Sequence, residues 1–396
     1  MKSIWDKRVE PEKNPYFWEE KPQLVEAKKE LSGQQNFIVD LFCGCGGFSL
    51  GFEWAGFAPV LGIDIHPPSL ETFRTNNIHA AVIKGDIRQI TSHLLQKAIG
   101  ERHISLVTAG VPCQGFSLCN RKRYEHDKRN FLFLEFIRCI KILKPDFVLL
   151  ENVSGLLSTA NGAFRKDISL AIKDCGYEVD CRILNALGYG VPQKRLRVFF
   201  MGARKGFDIR WPAPSHGPRK IRTVTVWDAI GDLPSIEAGE CKQEYDKPPF
   251  TEYQKFMRGN CVVLLNHEAP SHPGEVIRKI GNTQPGKPIY PKFPQRIRLN
   301  PAEPSPTQVS GGIRPQYQFG HPTQPRGLSI RERCRIQSFP DNFEVQGGIV
   351  QGRVQTGNAV PPLLARAIAK QIIGSLRNEK STEETLPKQA SQMELW

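Results

Sequence analysis

The chain has 396 residues, with 54 Lys and Arg against 40 Asp and Glu, a formal charge of +14; this length allows one large domain and a smaller one, and the charge suits a polyanionic partner, nucleic acid ahead of an acidic membrane surface. No apolar run reaches the roughly 18 residues of a membrane helix, and residues 1–10 are rich in charge, so neither a membrane span nor a signal peptide is expected and a cytoplasmic protein is. Ten scattered cysteines without a Cys-x-x-Cys pair argue against a disulfide framework or structural zinc, and no metal is expected.

Residues 1–35 are polar, carry Pro11, Pro15 and Pro22, and read as an extension. From Asn36 to about Phe200 short β-rich runs, at 37–39, 59–63, 105–107, 147–150 and 198–200, alternate with helical stretches, which predicts an α/β fold with a largely parallel sheet. The first strand runs into Phe42-Cys43-Gly44-Cys45-Gly46-Gly47 and then a helix-like stretch from Phe48 to Trp54. Glycines at a strand-to-helix turn let backbone N–H groups approach a ligand; the bland alternative is a tight turn. The second strand ends at Asp64, where a carboxylate can accept from the ribose hydroxyls of a nucleoside cofactor, and Gly85-Asp86-Ile87 offers an acceptor for an adenine amino group. Cys43 and Cys45 lack nearby histidines and read as small residues lining the turn.

The strand 105–108 terminates in Ala109-Gly110-Val111-Pro112-Cys113-Gln114, which sets Cys113 where open α/β sheets keep their ligands. Most cysteines are inert buried apolar residues; here Pro112 before and Gln114 after favour an exposed nucleophile. The strand 147–150 ends in Glu151-Asn152-Val153, offering a buried acid of raised pKa that shares a proton with a base ring nitrogen, or else an ordinary helix N-terminal acid. Gln193-Lys194-Arg195-Leu196-Arg197 puts two arginines on one face of a strand, fit for a carboxylate or a phosphate. Residues 213–324 are rich in Pro, Gly, basic and aromatic residues and read as a second, irregular domain. Helical patterns return at 329–337 and 361–376, and the charged residues from Arg377 onward read as a tail.

The ordered set Asp40-Leu41-Phe42 with Gly44, Gly46 and Gly47, Pro112-Cys113-Gln114, Glu151-Asn152-Val153, Gln193 with Arg195 and Arg197, and Gly357-Asn358-Ala359-Val360 closely resembles the cytosine-5 DNA methyltransferase family of bacterial restriction-modification type, over residues 36–202 and 306–372. The resemblance implies a Rossmann-like S-adenosylmethionine-dependent methyltransferase domain with a mostly parallel central sheet, plus a smaller irregular target-recognition domain. The expected boundaries are an extension at 1–35, the catalytic and cofactor-binding domain at 36–212, target recognition at 213–324, a hinge and return at 325–376 and a tail at 377–396. Carried over residue by residue, Phe42, Gly44, Gly46, Gly47, Asp64, Ile65, Asp86, Ile87, Pro112, Leu132, Asn358, Ala359 and Val360 surround S-adenosylmethionine. The family often has an aromatic residue where Ile65 stands.

The mechanism so implied extrudes cytosine from double-stranded DNA, because a stacked base hides its carbon 6. Cys113 attacks that carbon, Glu151 holds nitrogen 3 and the amino group, Arg195 fixes the ring carbonyl and orients Glu151, and Gln114 and Arg197 complete the catalytic set. The basic loop at 117–129 closes over DNA, a monomer is expected, and a cognate restriction endonuclease acts on the same sequence without stable complex. The alternatives are cytosine-5 methylation of tRNA, a DNA-binding protein that has lost turnover, and an NAD-linked oxidoreductase; the last leaves Cys113 and Glu151 without a task.

Overall fold

The computed structural model describes residues 21–31, 33, 36–112, 132–156, 163–310 and 318–377. Eight strands, β1 (Gln23–Val25), β2 (Asn36–Leu41), β3 (Phe57–Asp64), β4 (Ala81–Lys84), β5 (Ile104–Gly110), β6 (Phe147–Val153), β7 (Tyr177–Asn185) and β8 (Leu196–Arg204), form one sheet in the order β1-β4-β3-β2-β5-β6-β8-β7. Strands β4, β3, β2, β5 and β6 run parallel, whereas β8 is antiparallel to β6 and to β7, and β1 is antiparallel to β4. Parallel strands covered on both faces read as continuous apolar runs, which is why the central ones stand out in the sequence.

Alternate residues of these strands feed two cores. Val39, Leu61 and Val107 face α3 (Ser92–Ile99), α4 (Leu132–Leu143) and α5 (Ala163–Lys173), where Phe133, Phe136, Ile137 and Ile140 recur at helical spacing on α4. Ile38, Leu106 and Leu149 face α1 (Gly47–Glu53) and the long α11 (Pro362–Leu376), which contributes Leu364, Ala365, Ile368 and Ile372. On that same side α2 (Pro67–Asn76) sets Phe73 across Gly62 of β3, where a Cβ would come within 2.7 Å of the ring. The return of the chain through residues 361–376, expected from their periodicity, therefore closes one face of the sheet.

Three strands escape the sequence pattern. Residues 23–25, inside the expected extension, pair with β4 through Gln23, Leu24 and Val25, so part of that extension belongs to the sheet. β4 itself is four residues long, and β7 exposes Glu178 and Arg182 because it is an edge strand with one face wet.

Between the sheet and the C-terminal helices the chain is irregular, with short helices α6 (Val226–Ile230), α7 (Glu252–Arg258) and α8 (Gly274–Asn282) around a core of Val226, Ile230, Leu233, Leu264, Leu299 and Phe319. That core continues into Leu328 and Ile336, so the irregular region and α9 (Ile330–Ile336) share apolar packing. All seven residues of α9 are buried. Ion pairs anchor it: Arg335 donates to Asp341 at 2.6 Å and to Asp232 at 3.1 Å, and Glu332 takes Arg326, which precedes the helix, through both oxygens. Buried ions of this kind hold only while every partner is present. α10 (Gly348–Asn358) then leads into the segment 358–360.

Candidate active site at the carboxyl ends of the parallel strands

Strands β3 and β4 lie to one side of β2, and β5 and β6 to the other, so the direction of winding reverses between β2 and β5. Open α/β sheets bind ligands in the crevice at such a point. A cavity of about 610 Å³ opens there, within the range of nucleoside-sized sites. Of the residues expected around a cofactor, Phe42, Gly44, Gly47, Asp64, Ile65, Asp86, Ile87, Pro112, Leu132, Asn358, Ala359 and Val360 line it, and Gly46 does not.

The turn after β2 shows why. Phe42, Gly44 and Gly46 have φ of 56°, 52° and 96°, a left-handed run that only glycine adopts freely. The Gly44 N–H donates to one Asp64 oxygen at 2.8 Å, and the His66 N–H to the other at 2.8 Å, which fixes the carboxylate while leaving each oxygen a further lone pair. Burial pushes the Asp64 carboxyl up, and these two N–H groups pull it back. Gly46 caps α1 and packs on Phe73, so its place is in the turn. At Gly47 a Cβ would lie 2.2 Å from the Val360 carbonyl oxygen; this glycine lets the C-terminal segment close one wall. Beneath the turn, Asp40 accepts from Ser49 and from Thr108, both at 2.9 Å, tying α1 and β5 to β2. Asp86 binds the Arg88 side chain through both oxygens, so an adenine amino group would share that carboxylate with Arg88.

On the other side of the crevice, β5 and β6 set Gly110 beside Glu151 in register. In the antiparallel β6–β8 ladder Val153 lies opposite Arg197 and Glu151 opposite Phe199, which makes Arg197 the diagonal neighbour of Glu151 on one face. Its Nε donates to Glu151 Oε1 at 2.8 Å. Burial pushes the Glu151 carboxyl up from its ordinary range, opposed first by Arg197 and then by Arg195. The expectation for Arg195 is that it fixes the ring carbonyl and orients Glu151; the direct contact with Glu151 is made by Arg197. Arg195, 1 % exposed, instead donates to the backbone carbonyls of Gln308 at 2.9 Å and Gly357 at 3.0 Å. Cys113, Gln114 and the basic loop 117–129 lie outside the described residues; Pro112, the last one before them, is at the cavity rim.

Sequence reading missed several polar wall residues, among them His66, Ser69 and Gln355. His66 joins Ser69 Oγ at 2.7 Å and Gln351 Oε1 at 3.0 Å, linking the end of β3 to α10. Gln355 is 2 % exposed, and its Oε1 has no hydrogen-bond partner among the described residues. The available signal was its position one helical turn before Asn358. An unpaired buried acceptor, a carboxylate with spare lone pairs and the apolar surfaces of Ile65, Ile87 and Leu132 fit a nucleoside that carries donor groups. Ile65 is 38 % exposed, an aliphatic face able to pack on a ring.

A mostly parallel sheet with a glycine turn, a buried carboxylate and a buried Glu–Arg pair at one crevice is the architecture of a Rossmann-like methyltransferase domain. The description of C-5 cytosine-specific DNA methylases matches residues 37–374. The Type II methyltransferase M1.HphI of Haemophilus parahaemolyticus is 36% identical over 353 residues, 86% of this chain and 87% of that protein. The Type II methyltransferase M.DdeI of Desulfomicrobium norvegicum is 35% identical over 370 residues, covering 85% and 88%. Among solved structures, a prophage-encoded E. coli protein named as a DNA modification methyltransferase superposes with a TM-score of 0.72 at 25% identity, covering 86% of this chain and 99% of that one. The chain belongs to the C-5 cytosine-specific DNA methylase family. No helix among the described residues is long and apolar enough to cross a membrane.

Proposed function

We propose that the protein transfers a methyl group from S-adenosylmethionine to carbon 5 of a cytosine flipped out of a specific double-stranded DNA sequence, through a covalent Cys113 adduct at carbon 6. The observation that carries this reading is the buried Glu151–Arg197 pair, set next to Gly110 at the end of β5, three residues before Cys113 in the sequence, and across one cavity from the glycine turn.

Cys113 as thiolate adds to carbon 6, forming the S–C bond while the ring double-bond electrons move toward carbon 5. Glu151, its proton affinity raised by burial, supplies the proton that nitrogen 3 takes up and holds the amino group; Arg197 fixes the carboxyl's direction. S-adenosylmethionine, when bound, supplies an electrophilic methyl group on a sulfonium, which carbon 5 accepts. Loss of the carbon 5 proton to a base then restores the ring double bond and expels the Cys113 thiolate, and nitrogen 3 returns its proton to Glu151. Asp64 would hold the ribose hydroxyls, with Gly44, Ile65, Ile87, Leu132 and residues 358–360 around the rest of the cofactor. Gly46 acts through the turn.

Residues 213–324 are assigned to target recognition, since their Arg, Lys, Gln and Asn side chains suit base edges and phosphates. The names of M1.HphI and M.DdeI support a role in a Type II restriction-modification system; that a cognate endonuclease reads the same sequence and that the methyltransferase acts as a monomer are part of the proposal. The same names, with the DNA methylase family, favour DNA over tRNA. Duplex DNA containing 5-fluorocytosine, incubated with S-adenosylmethionine, tests the covalent step, because after methyl transfer the fluorine at carbon 5 cannot leave as a proton does. The adduct should survive denaturation with the parent protein and be missing with Cys113→Ala; an adduct formed equally by Cys113→Ala would overturn the assignment.

A further inference from the structure

Arg195 sits at a junction where three chain segments meet without side chains between them. A Cβ on Gly357 would lie 2.2 Å from Ser310 N and from the Val309 carbonyl carbon, so the end of α10 is pressed directly on the backbone of residues 308–310. The Gly357 carbonyl is one of the last four of α10, which have no helical N–H to accept from. Arg195 supplies one: its two terminal nitrogens reach the carbonyls of Gln308 and Gly357, bridging both segments, and its charge stands at a helix C-terminus, where a cation is favoured. Both terminal nitrogens are thus committed to backbone, while Nε has no hydrogen-bond partner among the described residues and the side chain lines the cavity, two residues before the arginine that pairs with Glu151.

Buried glutamines close a ring around this junction. The Gln308 N–H donates to Gln193 Oε1 at 3.0 Å, Gln193 Nε2 donates to Gln337 Oε1, and Gln337 Nε2 donates to the Ala359 carbonyl. The ring therefore starts on the segment that enters β8 and ends on two residues, 357 and 359, that flank Asn358 in the cofactor wall. All three glutamines are fully buried, so little motion is available to one segment without the others.

We propose that Arg195 is a positioning residue for the cofactor: it locks the wall segment 357–360 to the strand carrying Arg197, and so sets where the methyl donor lies relative to the cytosine without touching the base. This rests on the reading of the site given above, and the test separates the two. A Lys at 195 keeps the charge but cannot bridge two carbonyls in a fixed fork, and a Met at 337 breaks the ring at another point with similar volume. Two readouts divide the site. Calorimetric binding of S-adenosylhomocysteine reports the cofactor wall. Exchange of the cytosine carbon 5 hydrogen with solvent deuterium in duplex DNA, with no cofactor added, reports the base side alone, because reversible attack at carbon 6 lets carbon 5 take up and release a proton.

Arg195→Lys and Gln337→Met should each weaken S-adenosylhomocysteine by about tenfold, the scale of one buried hydrogen bond lost with its partner left unpaired, while hydrogen exchange stays within about threefold of the parent rate. Unchanged S-adenosylhomocysteine affinity in both variants, or collapse of exchange with affinity retained, would overturn the proposal; so would loss of both readouts together, which marks general loosening. Glu151→Gln checks the underlying reading by itself: exchange should vanish while S-adenosylhomocysteine affinity is retained, and persistent exchange there would sink the assignment of Glu151 whatever Arg195 does.

Discussion

Asp40→Asn isolates one buried charge under the glycine turn. Asp40 is 1 % exposed, and burial pushes its carboxyl up from 3.8 to about 7, against the Thr108 and Ser49 hydroxyls that lower it. Because the folded state holds the proton more tightly than the unfolded chain, this carboxyl's stabilising contribution is fully present below 3.8 and is lost as pH rises through about 7. At about 1.4 kcal/mol per pH unit the full effect is about 4 kcal/mol, of which about 2 kcal/mol falls between roughly pH 5.5 and 8.5. An asparagine keeps an acceptor for one hydroxyl and offers its amide as donor to the other, with no charge to desolvate. Urea unfolding of parent and variant across that interval should show Asp40→Asn gaining about 2 kcal/mol on the parent toward the alkaline end. Parallel pH profiles, or a variant that loses ground as pH rises, would refute the assignment of a proton to Asp40.

Arg197→Met leaves Glu151 buried without its 2.8 Å partner, so its carboxyl should rise further and its direction loosen. Methyl transfer should fall by about a hundredfold with S-adenosylhomocysteine affinity near that of the parent, measured by single-turnover kinetics and calorimetry. Gly47→Ala forces a methyl group against the Val360 carbonyl, a 2.2 Å approach, and should cost about 2 kcal/mol in thermal unfolding while weakening S-adenosylhomocysteine. Arg335→Met removes the nearest cation from Asp341 and Asp232 in a closed core, leaving Arg331 at 3.8 Å and Arg258 at 4.0 Å, and should cost about 3 kcal/mol by the same assay, with the irregular region losing protection from hydrogen exchange first.

Much of the central sheet was legible because parallel strands covered on both faces have to be continuously apolar, and because glycine turns and single carboxylates follow them at fixed places. β1, β4 and β7 were not, since strands of three and four residues are too short for a period and β7, at the sheet edge, carries Glu178 and Arg182 on its wet side. At the site, Glu151 and Asp64 could be read from strand ends, where direction is set by local geometry. The division of labour between Arg195 and Arg197 could not. Both alternate onto one face, and which of them meets Glu151 depends on the antiparallel register of β6 and β8 and on the distant carbonyls of Gln308 and Gly357. Gln355 was invisible for a similar reason: a helical glutamine is ordinary until the fold turns it into a cavity wall. The helix with capping-box residues Ser329 and Glu332 was predictable, but the burial of every residue in it follows from Asp232 and Asp341, which lie outside it.

The central claim is methylation of DNA cytosine at carbon 5, and nucleoside analysis tests it most directly. Duplex DNA incubated with the purified protein and methyl-labelled S-adenosylmethionine is digested to nucleosides and resolved by mass spectrometry. Label should appear in 5-methyldeoxycytidine with the parent protein and be missing with Cys113→Ala. Label in N4-methyldeoxycytidine or N6-methyldeoxyadenosine, or label confined to tRNA offered in parallel, would contradict the account.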